Sequence, residues 1–256
     1  MRKWNANRFF IDAYRPKLGG KIVIEDKEQR THITSSLRLG VGAQLELCFY
    51  DGLECIGEIT EIGKFSIELK NIEDCVIATE LPVKVDLYQG IPKLKKIDLI
   101  VQKAVECGVH SITPVNMQHC VANIREEKKE KKSERLQKIA LSAAEQSKRL
   151  YVPEVREAVQ SADLPAILED YDLVILADED LSAGSEEGAS QTLKTIAEKI
   201  RAAQRIAIIV GPEGGISDAE RALLAERADS VSLGSRILRT ETVAIFMLAQ
   251  ISYIVS

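Results

Sequence analysis

The segment Arg205-Ile206-Ala207-Ile208-Ile209-Val210 has no polar residue after its first, and it runs directly into Gly211-Pro212-Glu213-Gly214-Gly215. A strand without alternation is buried on both faces, as a central strand of a parallel sheet covered by helices must be. The glycines behind it let the backbone approach a ligand with no Cβ atoms in the way. Ser217-Asp218-Ala219-Glu220 then has the spacing of a capping box, so the turn opens a helix whose first amides suit an anion or a carboxylate. Strand, glycine turn and helix start together predict an open α/β sheet with a pocket at the carboxyl ends of its strands.

A second turn of this kind follows. Ser230 to Leu233 reads as a strand, Gly234 to Arg239 as a loop, and Thr240 or Thr242 as the N-cap of a last helix, with Glu241 at the positive end of its dipole. That helix, Val243 to Val255, is apolar almost all round, which predicts burial in the domain or against a second copy of the chain.

Alternation of strands and helices extends back to residue 74. Val83 to Tyr88, Ser111 to Val115 and Leu173 to Ala177 read as strands. Lys93 to Cys107 and Ser133 to Leu150 read as amphipathic helices, and the small polar stretch from Ser182 to Gln191 as a loop. Before residue 74 the period is two: residues 21–25, 44–49, 55–60 and 66–70 alternate as half-buried strands, and Asp51-Gly52 is a hairpin turn between two of them. His32 to Leu39 breaks that pattern as a helical turn. Short strands at close spacing predict a small β-barrel over residues 1–73, ahead of an α/β domain over 74–256.

Two nucleotide-binding readings fail on mechanism. Gly40-Val41-Gly42 leads into a strand and not a helix, and the Gly57 to Lys64 stretch has the wrong spacing for a P-loop, with Phe65 where a magnesium-holding hydroxyl belongs. Five cysteines without a CxxC pair, and three histidines without HExxH spacing, argue against a disulfide framework and a metal site. The longest apolar run is too short to span a bilayer, so a cytoplasmic protein without membrane partner is expected. The net charge of −5 counts against nucleic acid, but its distribution does not. Residues 1–20 and 125–150 each carry about +4, against about −9 over 151–200, and local patches decide binding once screening sets in.

Four ordered motifs carry a resemblance. Val210 to Ser217, Leu233 to Thr242, Ala143-Ala144-Glu145-Gln146-Ser147-Lys148-Arg149 and Lys103 to Val109 resemble the ribosomal small subunit methyltransferase E family, and Arg8-Phe9-Phe10 with His32-Ile33 and Leu37-Arg38 extend the match to its N-terminal end. The resemblance implies a PUA-like β-barrel before a SPOUT-type α/β domain with a parallel sheet and a deep trefoil knot, a rarity among folds. It implies a homodimer that uses S-adenosyl-L-methionine to methylate N3 of a uridine in 16S ribosomal RNA. Implied cofactor residues are Leu176, Gly211, Pro212, Glu213, Gly214, Gly215, Ile216, Leu233, Gly234, Ile237, Leu238, Thr240 and Thr242. Arg239 is the candidate for stabilising the uracil anion, with Glu241 orienting it or acting as base. Arg8, Arg38, Lys93, Lys96, Gln146 and Arg149 are candidate RNA contacts. A SPOUT enzyme acting on another RNA such as tRNA, and a non-catalytic RNA-binding assembly protein, are the alternatives.

Overall fold

The computed structural model describes residues 7–75, 79–93, 96–121, 124, 128–178 and 191–256. All of the expected loop from Ser182 to Gln191 except Gln191, and part of the charged run at 126–132, lie outside the described residues. The chain divides into two compact units, one of residues 1–80 with 144–152 and one of 81–143 with 153–256. The boundary expected after residue 73 thus moves to 80, and a segment from mid-chain joins the first unit.

The first unit is built on strands β1 (Arg8–Ile11), β2 (Lys21–Ile24), β3 (Gln44–Phe49), β4 (Glu54–Ile62) and β5 (Ile67–Cys75) in the order β1-β3-β4-β5-β2. All ladders are antiparallel except β1 with β3. The inward residues of the alternating segments make one core, with Phe9, Ile22, Leu45, Leu47, Ile59, Ile67 and Leu69 at its centre. Asp51-Gly52 does turn the β3–β4 hairpin, with Gly52 at φ 70°. Helix α1 (Lys27–Thr31), capped by Asp26, runs into a wider turn over His32–Ser36 that seats Ile33 in the core.

The second unit holds a sheet whose strands are β6 (Lys84–Gly90), β7 (Ser111–Asn116), β8 (Glu154–Val155), β9 (Val159–Gln160), β10 (Leu173–Ala177), β11 (Arg205–Val210) and β12 (Asp229–Val231). Their order is β12-β10-β11-β6-β7-β8, with β9 also on β7, and every pairing is parallel. β11 lies between β10 and β6, and Ile206 to Val210 are buried without exception, which is why its sequence lacks alternation. The helices are α2 (Lys96–Glu106), most of α3 (Lys129–Ser147), α4 (Leu164–Ile167), α5 (Ala197–Ala202), α6 (Asp218–Leu224) and α7 (Thr240–Val255). α2 and α5 both pack on α7.

α3 stops at Ser147, three residues short of the expected end. Lys148 takes φ 62° and the Arg149 amide donates back to the Ala144 carbonyl, a left-handed C-terminal turn that periodicity does not reveal.

At the amino ends of the strands a polar cluster closes the sheet. Asp86, 1% exposed, accepts hydrogen bonds from Ser111 Oγ (2.7 Å), Tyr171 Oη (2.6 Å) and the Arg205 guanidinium (2.9 and 3.1 Å), and faces His110 Nδ1 at 2.8 Å. Burial alone would raise its carboxyl, but the bonds from His110, Tyr171, Ser111 and Arg205 outweigh it and hold the group well below the usual carboxylate range. The polar groups are satisfied, and this end of the sheet is scaffold.

Candidate functional site

The opposite, carboxyl end of the sheet is where the loops gather. Loop one, Gly211 to Ser217, leaves β11; loop two, Ser232 to Arg239, leaves β12; and the end of β10 contributes Ala177 and Asp178. Between them lies a cavity of about 300 Å³, at the lower end of the range for small-molecule sites.

Loop one is held closely from below. A Cβ on Gly90 would lie 2.7 Å from the Pro212 ring and 2.9 Å from Met117 Sδ, so the end of β6 must be glycine for the loop to sit as it does. Gly215 takes φ 74°, and the capping box forms, with Ser217 Oγ donating to Glu220 Oε2 at 2.8 Å. The other oxygen of Glu220 accepts the Gln118 amide at 2.9 Å, tying the start of α6 to the loop after β7.

A buried hydrogen-bond chain joins the two loops. Gln89 Nε2 donates to Thr240 Oγ1 at 2.9 Å, and Thr240 Oγ1 donates to the Gly211 carbonyl at 2.7 Å. Because the Thr240 hydroxyl faces inward, it does not cap α7. Arg239 is the N-cap instead, its backbone extended and its carbonyl accepting the amides of Thr242 and Val243. The expected cap at Thr240 or Thr242 is corrected accordingly.

At the cavity edge the Lys96 ammonium stands 3.1 Å from Glu213 of loop one and 3.1 Å from Glu241 in the first turn of α7. These two carboxylates raise the Lys96 pKa. Burial would raise the Glu213 carboxyl, but its own amide, the Lys93 amide and Lys96 prevail and lower it. Glu241 therefore pairs with Lys96 and not with Arg239, whose side chain is exposed at the cavity.

Of the expected cofactor residues, Gly211, Pro212, Glu213, Gly215 and Ile216 line the cavity from loop one, and Leu233, Ile237, Leu238 and Thr240 from loop two and α7. Four do not line it. Leu176 is buried in β10 one residue before the lining Ala177, and Gly214 packs over His119; Gly234 and Thr242 are exposed. The sequence reading missed Ala177, Asp178, Val210, Arg236 and Val243 as lining residues. Asp178 had a signal, since it follows a strand end on the functional edge; it is held by two bonds from Arg221.

The candidate RNA contacts separate by burial. Lys93, Arg38 and Gln146 are exposed, Arg38 with φ 54°. Arg8 is not a surface group: its side chain is wholly buried, bonded to Glu54 and 3.7 Å from Glu46. Arg149 is 2% exposed, bonded through Nε to both oxygens of Glu80 and stacked 4.9 Å over Tyr151. Both are corrected from RNA contacts to internal counter-ions of the first unit, since a buried guanidinium already bound to a carboxylate cannot reach a phosphate.

Among the described residues no group of three His, Cys, Asp or Glu side chains is placed to hold a metal ion, and no helix is long and apolar enough to cross a membrane. Burial pushes the Cys55 thiol up to about 12, with the neighbouring Cys75 adding to it, so that residue is packing and not a nucleophile.

A parallel sheet with backbone loops enclosing a cavity at its carboxyl edge defines a ligand-binding α/β domain, and the comparisons give its class. Residues 79–252 match the RNA methyltransferase domain family and residues 24–70 the RNA methyltransferase PUA domain. The chain is 36% identical over 228 residues to ribosomal RNA small subunit methyltransferase E of Bacillus subtilis, covering 88% of each, and 30% identical over 250 residues to the Rickettsia conorii protein, covering 96% and 94%. Among solved structures, the Neisseria gonorrhoeae ribosomal RNA small subunit methyltransferase E bound to S-adenosyl methionine matches with TM-score 0.82 at 26% identity, over 97% of this chain and 98% of that one. A Legionella pneumophila methyltransferase with bound S-adenosyl methionine matches with the same score at 28% identity and the same coverage. The chain belongs to the ribosomal RNA small subunit methyltransferase E family.

Proposed function

We propose that this protein transfers a methyl group from S-adenosyl-L-methionine to N3 of a uridine in 16S ribosomal RNA of the small subunit. The observation that carries the reading is the cavity bounded by the two backbone loops in a chain of this family. The residues present suit the donor. Gly211 and Gly215 line the cavity with backbone, and Ile216, Leu233 and Leu238 offer an apolar wall for adenine. Gln89 Oε1, buried without a hydrogen-bond partner, marks unused polar capacity behind the loops. When bound, the donor supplies an electrophilic methyl carbon on a sulfonium.

The chain's own contribution is position and field. Uridine N3 carries a proton and its lone pair is delocalised into the imide, so attack requires the anion, and cations at the cavity favour it. Arg239 lines the cavity with this role open to it. Glu241 is paired to Lys96 in the first turn of α7, and holding that ammonium is the role its position supports.

On the RNA side, Lys93 and Lys96 in the second unit and Arg38 and Gln146 in the first are the candidate contacts. The family resemblance adds a closed barrel for the first unit, a trefoil knot in the second, a cytoplasmic location and a homodimer. The dimer has support in α7, where Thr242, Ala249 and Tyr253 are exposed at helical spacing, Tyr253 by 85%. Mass spectrometry of small-subunit RNA from cells with and without the protein tests the reading. A 3-methyluridine present only with the protein is expected; identical spectra refute it, and a difference confined to tRNA would favour another RNA as substrate.

A further inference from the structure

Lys96 is placed differently from the other cations of the cavity. Arg236 and Arg239 are exposed and sit on loop two, whereas Lys96 stands on the first turn of α2, fixed by a carboxylate from each side. Its ammonium has three N–H groups, and its two ion pairs, to Glu213 and Glu241 at 3.1 Å each, fix its position. Lys96 also lines the cavity, so its ammonium can donate to a ligand there. A cation held before the substrate arrives needs no reorganisation when charge develops, which makes it worth more than a mobile one.

We propose that Lys96 is a catalytic residue of this site, a preorganised cation whose ammonium donates to a carbonyl oxygen of the target uracil and stabilises the N3 anion. This rests on uridine N3 as the acceptor. The N3 proton leaves to solvent; the freed lone pair forms the N–C bond as the C–S bond breaks, and that bonding pair remains on sulfur as a neutral thioether. Lys96 keeps its proton throughout, as its two carboxylates require. The charged groups around it are Glu213 of loop one, Glu241 of α7, Arg236 and Arg239 across the cavity, and Asp178, which is neutralised by Arg221.

The test compares wild type, Lys96→Met and Lys96→Arg in single turnover at saturating S-adenosylmethionine over a pH series. Lys96→Met should lose about a hundredfold at neutral pH. Its rate should also keep rising to higher pH than the wild type, and Lys96→Arg should restore most of the loss. A second readout needs no donor. With 5-fluorouridine at the methylated position of a small-subunit RNA fragment, fluorine NMR of the complex should show N3 ionising at lower pH with wild type than with Lys96→Met. If neither the pH limb nor the bound ionisation moves, Lys96 is only a clasp between the loops and the proposal is overturned. If the wild type itself forms no 3-methyluridine, the functional reading fails with it.

Discussion

Replacing Thr240 by valine keeps the shape of a buried side chain and deletes a hydroxyl that ties the start of α7 to loop one. Thr240 is 5% exposed; its oxygen accepts from Gln89 at 2.9 Å and donates to Gly211 at 2.7 Å. The substitution orphans one N–H of a wholly buried glutamine and one backbone carbonyl, at about 1–3 kcal/mol each. The added methyl returns about 0.8 kcal/mol of burial. A net loss of about 3 kcal/mol is expected, which for a unit of this size lowers Tm by about 6–12 °C. Since Gly211 opens loop one, affinity for S-adenosylmethionine should also fall, by about tenfold if 1.4 kcal/mol of the loss reaches the bound state. Circular dichroism melts and calorimetric titration measure the two, and Thr240→Ser, which keeps the hydroxyl, should restore both. A Thr240→Val protein within about 0.5 kcal/mol of wild type and with normal affinity would refute the idea that this chain of bonds positions the loops.

Four other substitutions probe separate features of the structure. Gly90→Ala drives a Cβ into Pro212 at 2.7 Å, so loop one must shift; about 1–3 kcal/mol of stability and a clear loss of donor affinity are expected in the same two assays. Arg8→Met removes the buried cation beside Glu54, while Glu46 keeps Lys148 at 2.9 Å, and should cost about 3 kcal/mol in urea denaturation while the salt dependence of RNA binding stays put; Arg38→Ala should do the reverse, reducing the salt slope by about one with little change in stability. Asp86 has a depressed pKa in the fold, so its contribution is complete above the unfolded value of about 3.9 and is lost as pH falls below that toward the folded value. Asp86→Asn should be less stable at neutral pH and show a flatter acid limb than the wild type, measured by denaturation at a series of pH values.

What the sequence made legible was local. β10 and β11 have the bounds their apolar runs predict, the capping box at Ser217 forms, and both glycine turns sit at the functional edge. What it hid was pairing across long separations. Arg8 reads as part of a basic N-terminal patch until Glu54, 46 residues later, is seen beside it, and Arg149 likewise meets Glu80. Thr240 reads as a helix cap because nothing local announces the Gly211 carbonyl 29 residues back. Lys96 reads as one more lysine in a basic run; only the meeting of α2, loop one and α7 makes it a bridge. Charge composition locates basic segments, but whether a given arginine faces water or a buried carboxylate is a tertiary property.

The proposed methyl transfer requires the two loops after β11 and β12 to enclose the methyl donor. A crystal structure of the protein with S-adenosylmethionine tests this most directly. It should place the adenosyl group against Gly211, Ile216, Leu233 and Leu238, with the methyl carbon open to the side where Lys96 and Arg239 stand. Donor bound elsewhere, with the cavity between the loops empty, would contradict the account.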